Sequence, residues 1–189
     1  MTYALITPPV AEPLTLAEVK AHLRLDDADE DALLLSLITT AREFLERETG
    51  LCLIVQSWRL YLDLWPKDGV IRILKSPLQA IQSITVYDAA GAAVDVSLAD
   101  HLLDGAGRPA RLWLRNPPSP GRAVNGIEID FSAGYGEAGT DVPDTLKRAM
   151  LIHIGHMFAF RGVISAEQQP AGVPEGYERL IAPFRLRRL

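Results

Sequence analysis

Hydrophobic periodicity changes twice along this chain, and the order of those changes points to an α+β fold. Helical spacing governs residues 14–50, short alternating segments occupy 54–133, and helical spacing returns from 143 to 161. The architecture this predicts is a small helical bundle, with a long second helix and C-terminal helices, carrying an inserted antiparallel β-sheet and a basic C-terminal tail. Residues 1–162 then make one α+β domain, 163–176 a linker, and 177–189 the terminal helix and tail.

The first helix is announced by Thr15 as N-cap and Glu18 three residues on, with Leu14 and Val19 placed to close a hydrophobic staple. It runs over about nine residues, 16–24, and is too short to stand alone. The second helix, 29–49, starts in a crowd of acids that suits the positive end of a helix dipole. Leu34, Leu37, Ile38, Ala41, Phe44 and Leu45 form its apolar stripe, and Gly50 stops it. Arg42, Glu43, Glu46, Arg47 and Glu48 lie off that stripe and read as a solvated face or a subunit contact.

Candidate strands follow at 54–64, 70–74, 79–87, 94–96, 111–114 and 126–133, separated by Pro- and Gly-bearing turns. Trp58, Tyr61, Trp65, Tyr87 and Trp113 fall in or beside them, where core or cross-strand packing is their default role. Pro143 fits the first turn of the next helix, 143–161, whose apolar residues cover most of its circumference and which Gly162 ends. The core is expected to be complete there. Residues 165–176 have the composition of a linker, and a short helix from 174 to 181 precedes the basic tail.

Between strand and helix lies FSAGYGEAGTDVPDTLKRAM, residues 131–150. Gly134, Gly136 and Gly139 have the spacing of a dinucleotide-binding fingerprint, which needs a buried parallel strand before it and a helix opening on it. Here Ile127, Ile129 and Phe131 alternate with Glu128, Asp130 and Ser132, as in a half-solvated strand. The helix opens near Pro143, four residues past the last glycine. Gly134, Tyr135, Gly136 and Pro143 therefore read as a structural joint, and no cofactor is expected.

Composition narrows the function classes further. Apolar content of 48% and charged content of 23% are those of a globular protein. The single cysteine, Cys52, sits in an apolar run and reads as a buried, inert thiol. No apolar run reaches membrane-span length, and the first ten residues lack the pattern of a signal peptide, so no membrane partner is expected. Net charge is −5, yet the last eleven residues hold Arg179, Arg185, Arg187 and Arg188 with no acid, leaving −9 on the body. Such a body is a poor sequence-independent DNA binder.

Chemistry-bearing clusters are missing from the sequence pattern. His153 and His156 share a helix face at i, i+3, but no third ligand accompanies them, so a partly buried face explains them better than a metal. No G-x-S-x-G elbow, phosphate loop or paired general acid and base is present, and catalysis is not expected.

Taken together, PLTLAEVKAHLRLD, then DALLLSLITTAREFLERETG, a β-rich middle and the joint AGYG…VPDTLKRAMLIHIGHMF resemble the head–tail connector (adaptor) proteins of long-tailed bacteriophages and of gene transfer agents. The resemblance spans residues 13–161. It implies a non-enzymatic ring on the portal vertex, formed after DNA packaging, matching the portal's twelvefold symmetry and offering a docking surface to the next neck, stopper or tail component. DNA would pass through an acidic lumen without specific binding. The protein would be made in the host bacterial cytoplasm and reside in the neck of the virion or virion-like particle.

Arg179, Phe184, Arg185, Leu186, Arg187, Arg188 and Leu189 are the expected portal-docking residues, offering guanidinium forks between apolar anchors. Two other classes stay open at this point: a monomeric neck or tail-completion module, and a nucleotide-binding enzyme built on the glycine turn.

Overall fold

The structure is a computed structural model, and it describes residues 1–160 and 173–185. The chain divides into two compact units, one of Met1–Val10 with Val55–Tyr135, the other of Ala11–Ile54 with Gly136–Leu189.

The first unit is all β, in two sheets where the sequence suggested one. β1 (Thr2–Thr7), β2 (Gln56–Leu62), β4 (Leu78–Tyr87), β5 (Ala93–Asp95) and β8 (Ile127–Ala133) form an antiparallel sheet in the order β1-β2-β8-β4-β5. β3 (Val70–Ile73), β6 (Leu102–Asp104) and β7 (Ala110–Trp113) form a second, in the order β3-β7-β6. β1 and β6 had no counterpart among the candidate strands. TYALIT lacks a clean alternation, and three residues are too few to show one.

Register follows the pleat. On β8, Ile127, Ile129, Phe131 and Ala133 are fully buried, and they pair with Leu62, Leu60, Trp58 and Gln56 of β2. The intervening residues build a polar face, on which Arg59 sits opposite Asp130. Its Nε and Nη2 donate to the two Asp130 oxygens at 2.6 and 2.8 Å, and Nη1 lies 2.8 Å from Glu128. Such a forked cross-strand pair pins register, because a one-residue slip would bury the charges.

The second unit is helical: α1 (Leu16–Leu23), α2 (Asp31–Thr49), α3 (Asp144–Ala159) and α4 (Glu175–Ile181). At α1 the Glu18 N–H donates to Thr15 Oγ1 at 3.2 Å, and the Thr15 N–H donates to Glu18 Oε2 at 2.7 Å. That is the expected capping box, and Leu14 and Val19 are buried beside it. Gly50 closes α2 at φ 73, a left-handed value that suits glycine.

Three details of this unit differ from expectation. On α3 the buried residues Leu146, Ala149, Met150, His153 and Ile154 make one stripe, so the helix is buried on one side rather than most of the way round. Pro143 is its N-cap rather than its first helical residue, and the helix ends at Ala159; Gly162 lies outside the described residues. On α2, Arg42 and Glu46 are not solvated but only 7% and 8% exposed. The reason is a buried ion network. Arg42 Nε donates to Glu12 at 2.8 Å and Nη1 to Glu46 at 3.1 Å, while Glu46 Oε1 accepts the Leu53 N–H at 2.7 Å. The network holds two flanking segments, around residues 12 and 53, to one helix. Buried charges persist only when paired in this way.

Candidate docking segment and glycine joint

The chain leaves the β unit at Tyr135 and enters the helical unit at Gly136. Each glycine of the joint has its own cause. Gly134 has φ 150, which disfavours any side chain, and it is fixed by two bonds: its N–H donates to Pro77 O at 2.9 Å, and its carbonyl accepts from Gln79 Nε2 at 2.6 Å. Gly136 is set by crowding, since a Cβ there would collide with the Asp141 carboxylate, which itself accepts the Ala138 N–H. A Cβ on Gly139 would lie 2.6 Å from Pro13 O. Tyr135 is half-buried, and burial raises its hydroxyl pKa while the nearby Arg108 guanidinium opposes the shift.

These close approaches account for all three glycines without a phosphate. β8 pairs antiparallel with both its neighbours, and α3 opens only at Asp144, after a 3-10 turn at Gly139–Asp141. A dinucleotide fingerprint needs a parallel strand and a helix N-terminus directly on the glycines, and this joint has neither.

The C-terminal segment is placed as far as Arg185. α4 is not an appendage. Tyr177 and Ile181 are fully buried, and Tyr177 is among the largest fully buried side chains. Its ring packs 6.0 Å from Phe44 of α2 and 5.3 Å from His153 of α3, while Phe44 and His153 meet edge-on at 4.8 Å. The core of the helical unit is thus not complete by Gly162. An i, i+4 pair of Tyr177 and Ile181 on a short helix was the available signal, hidden by the linker-like stretch before it.

Burial raises the Tyr177 hydroxyl pKa, reinforced by the charges of Glu48 and Glu178, and burial with the nearby His156 lowers that of His153. Among the described residues, Tyr177 Oη and His153 Nδ1 are buried with no hydrogen-bond partner. His153 therefore serves an aromatic cluster, while the His156 ring lies tilted against Phe160 with centroids 5.0 Å apart. No group of three or more potential metal ligands lies together among the described residues.

Of the docking residues, Arg179 pairs with Glu175 at 2.6 Å on the exposed side of α4. Arg185 bridges Glu48 of α2 at 3.0 Å and Glu178 at 2.8 Å. Phe184 ends a 3-10 turn, Ala182–Phe184. Leu186, Arg187, Arg188 and Leu189 lie outside the described residues, as does most of the expected linker. The structure thus joins Arg185 to α2 and α4 and pairs Arg179 with Glu175 within α4.

The fold and the docking segment can now be set beside known proteins. Residues 13–94 match the family described as phage gp6-like head-tail connector protein. Over 100% of this chain and 97% of the other, the structure is similar at TM-score 0.83 and 28% identity to a chain in the virion of a native gene transfer agent particle. With the same coverage it is similar to chains in two neck structures: that of the empty particle computed with C6 symmetry (TM-score 0.82, 27% identity) and that of the native particle computed with C12 symmetry (TM-score 0.80, 28% identity). Among curated proteins, none matches the sequence.

These matches are to proteins of head–tail junctions, and the resemblance read from the sequence stands. The connector match covers residues 13–94, and the likeness to chains of gene-transfer-agent necks runs along the whole length. The proteins matched are structural parts of particles.

Proposed function

We propose that this protein forms a ring on the portal vertex after DNA packaging, docks the next neck or tail component, and leaves a lumen through which DNA passes. The observation that carries this reading is the whole-length likeness, at 28% identity, to a chain of a neck computed with C12 symmetry. The acidic body suits a channel along which DNA slides without sticking, because like charge opposes adhesion. Its location is then the neck of a phage or gene-transfer-agent particle.

Portal attachment is assigned to Arg179, Phe184, Arg185, Leu186, Arg187, Arg188 and Leu189. The buried Tyr177 and Ile181 would anchor α4 and so give the docking segment a fixed base. Arg185 would exchange Glu48 and Glu178 for acidic residues of the portal, a swap between charge-assisted pairs. Electron microscopy of the protein mixed with its purified portal tests both parts. The intact chain should decorate the portal as a ring. A chain truncated after Ile181 keeps Tyr177 and Ile181, so it should fold and yet fail to attach. Normal occupancy by the truncated chain would move the anchor to the helical faces; an intact chain that stays monomeric on portals would end the ring reading.

A further inference from the structure

A closed ring of identical subunits needs two different, complementary surfaces on each copy. The β unit presents two apolar sides that meet this requirement. β1 pairs only with β2, and β6 only with β7, so each has one outer edge unpaired among the described residues. Near the β1 edge, Leu5 and Ile6 are 45% and 52% exposed, with Met1 and Leu74 also exposed. On β6, Leu102 is 66% exposed and Leu103 is also exposed, as are Trp113 of the adjoining β7 and Val94 of β5.

The two sides lie at opposite ends of the unit. Leu74, just past β3, donates its N–H to Tyr3 Oη at 2.9 Å, and the Lys75 ammonium sits 4.1 Å over the Trp58 ring. The β3 end of the small sheet therefore overlies the β1–β2 end of the large one. At the other end, Asp100, two residues before β6, lines one groove with Asp95 of β5.

Neither edge carries the charges that natural proteins use to keep free strands apart. TYALIT has none, and Asp104 of β6 is neutralised by Arg111 at 2.7 Å. An open groove of about 320 Å³ crosses the small sheet from Val70 of β3 over Trp113 of β7 to Leu102 and Leu103 of β6, with that ion pair in its lining.

We infer that the β5–β6 side of one copy receives the β1–β3 side of the next, strand edge to strand edge, and that this head-to-tail contact closes the ring. The inference rests on the ring reading above and adds its surface. Two unlike apolar sides on one unit suit a second copy of this chain, since an isologous dimer uses only one patch.

Cysteine cross-linking of assembled rings tests it. The double variant Ile6→Cys with Leu102→Cys should give a covalent ladder reaching ring size on a non-reducing gel; each single variant should give none, because native Cys52 is 1% exposed. Leu102→Asp changes a solvent-facing side chain, so its melting temperature should match wild type while ring yield falls roughly tenfold or more. Rings formed at normal yield by Leu102→Asp, without a ladder in the double variant, would overturn the inference and leave the ring reading intact. Intact rings that lose only a neck partner would assign the β6 edge to that partner instead, and overturn it equally. Failure of the wild-type chain to form rings on portals would remove both.

Discussion

Replacing Tyr177 by alanine should unfold more than a short terminal helix. The side chain is fully buried and touches α2 through Phe44 and α3 through His153, so its loss opens a cavity between three helices. Large aromatic-to-alanine changes in such positions cost about 3–5 kcal/mol. For a chain of this size each kcal/mol lowers the melting temperature by roughly 2–4 °C, so a fall of about 6–20 °C is expected. Tyr177→Phe separates packing from polarity. It keeps the ring and removes a buried hydroxyl with no partner among the described residues, and should therefore raise stability by about 1 kcal/mol. Urea and thermal unfolding followed by circular dichroism measure both. An alanine variant within about 1 kcal/mol of wild type would mean that α4 is not core and that the docking segment has no fixed base. A phenylalanine variant that loses more than about 1 kcal/mol would mean that the hydroxyl is satisfied.

Two further outcomes follow from the same geometry. Burial and His156 hold the His153 pKa low, so the unfolded chain takes up this proton first as pH falls. Stability should drop below about pH 6.5, down to the lower folded value, and His153→Gln should flatten that part of a melting-temperature profile; an unchanged slope would refute the assignment. At the joint, Gly134→Val meets backbone strain and Gly136→Val meets the Asp141 carboxylate, so each should destabilise by about 1–3 kcal/mol in urea unfolding. Two unaltered midpoints would show that the turn tolerates side chains.

Local signals carried the helices well. A capping box at Thr15 and Glu18, the apolar stripe of α2 and the stop at Gly50 are events within a few residues, where spacing alone decides which groups meet. Six of the strands were legible for the same reason, as was the family resemblance, which rests on the order of such local signals. At the joint, only part of the cause is local. Positive φ at Gly134 is a local matter, whereas Gly136 is required by Asp141 and Gly139 by Pro13, a residue more than a hundred positions away.

What stayed hidden depends on partners distant in sequence. TYALIT becomes a strand only because β2 offers an edge to it. Arg42 and Glu46 look like surface charges until Glu12 and the Leu53 N–H bury them as a network. Tyr177 looks like part of a tail until Phe44 and His153 close around it. In each case burial is decided by long-range contacts, and a linear pattern records a residue's chemistry but not the neighbour that will meet it.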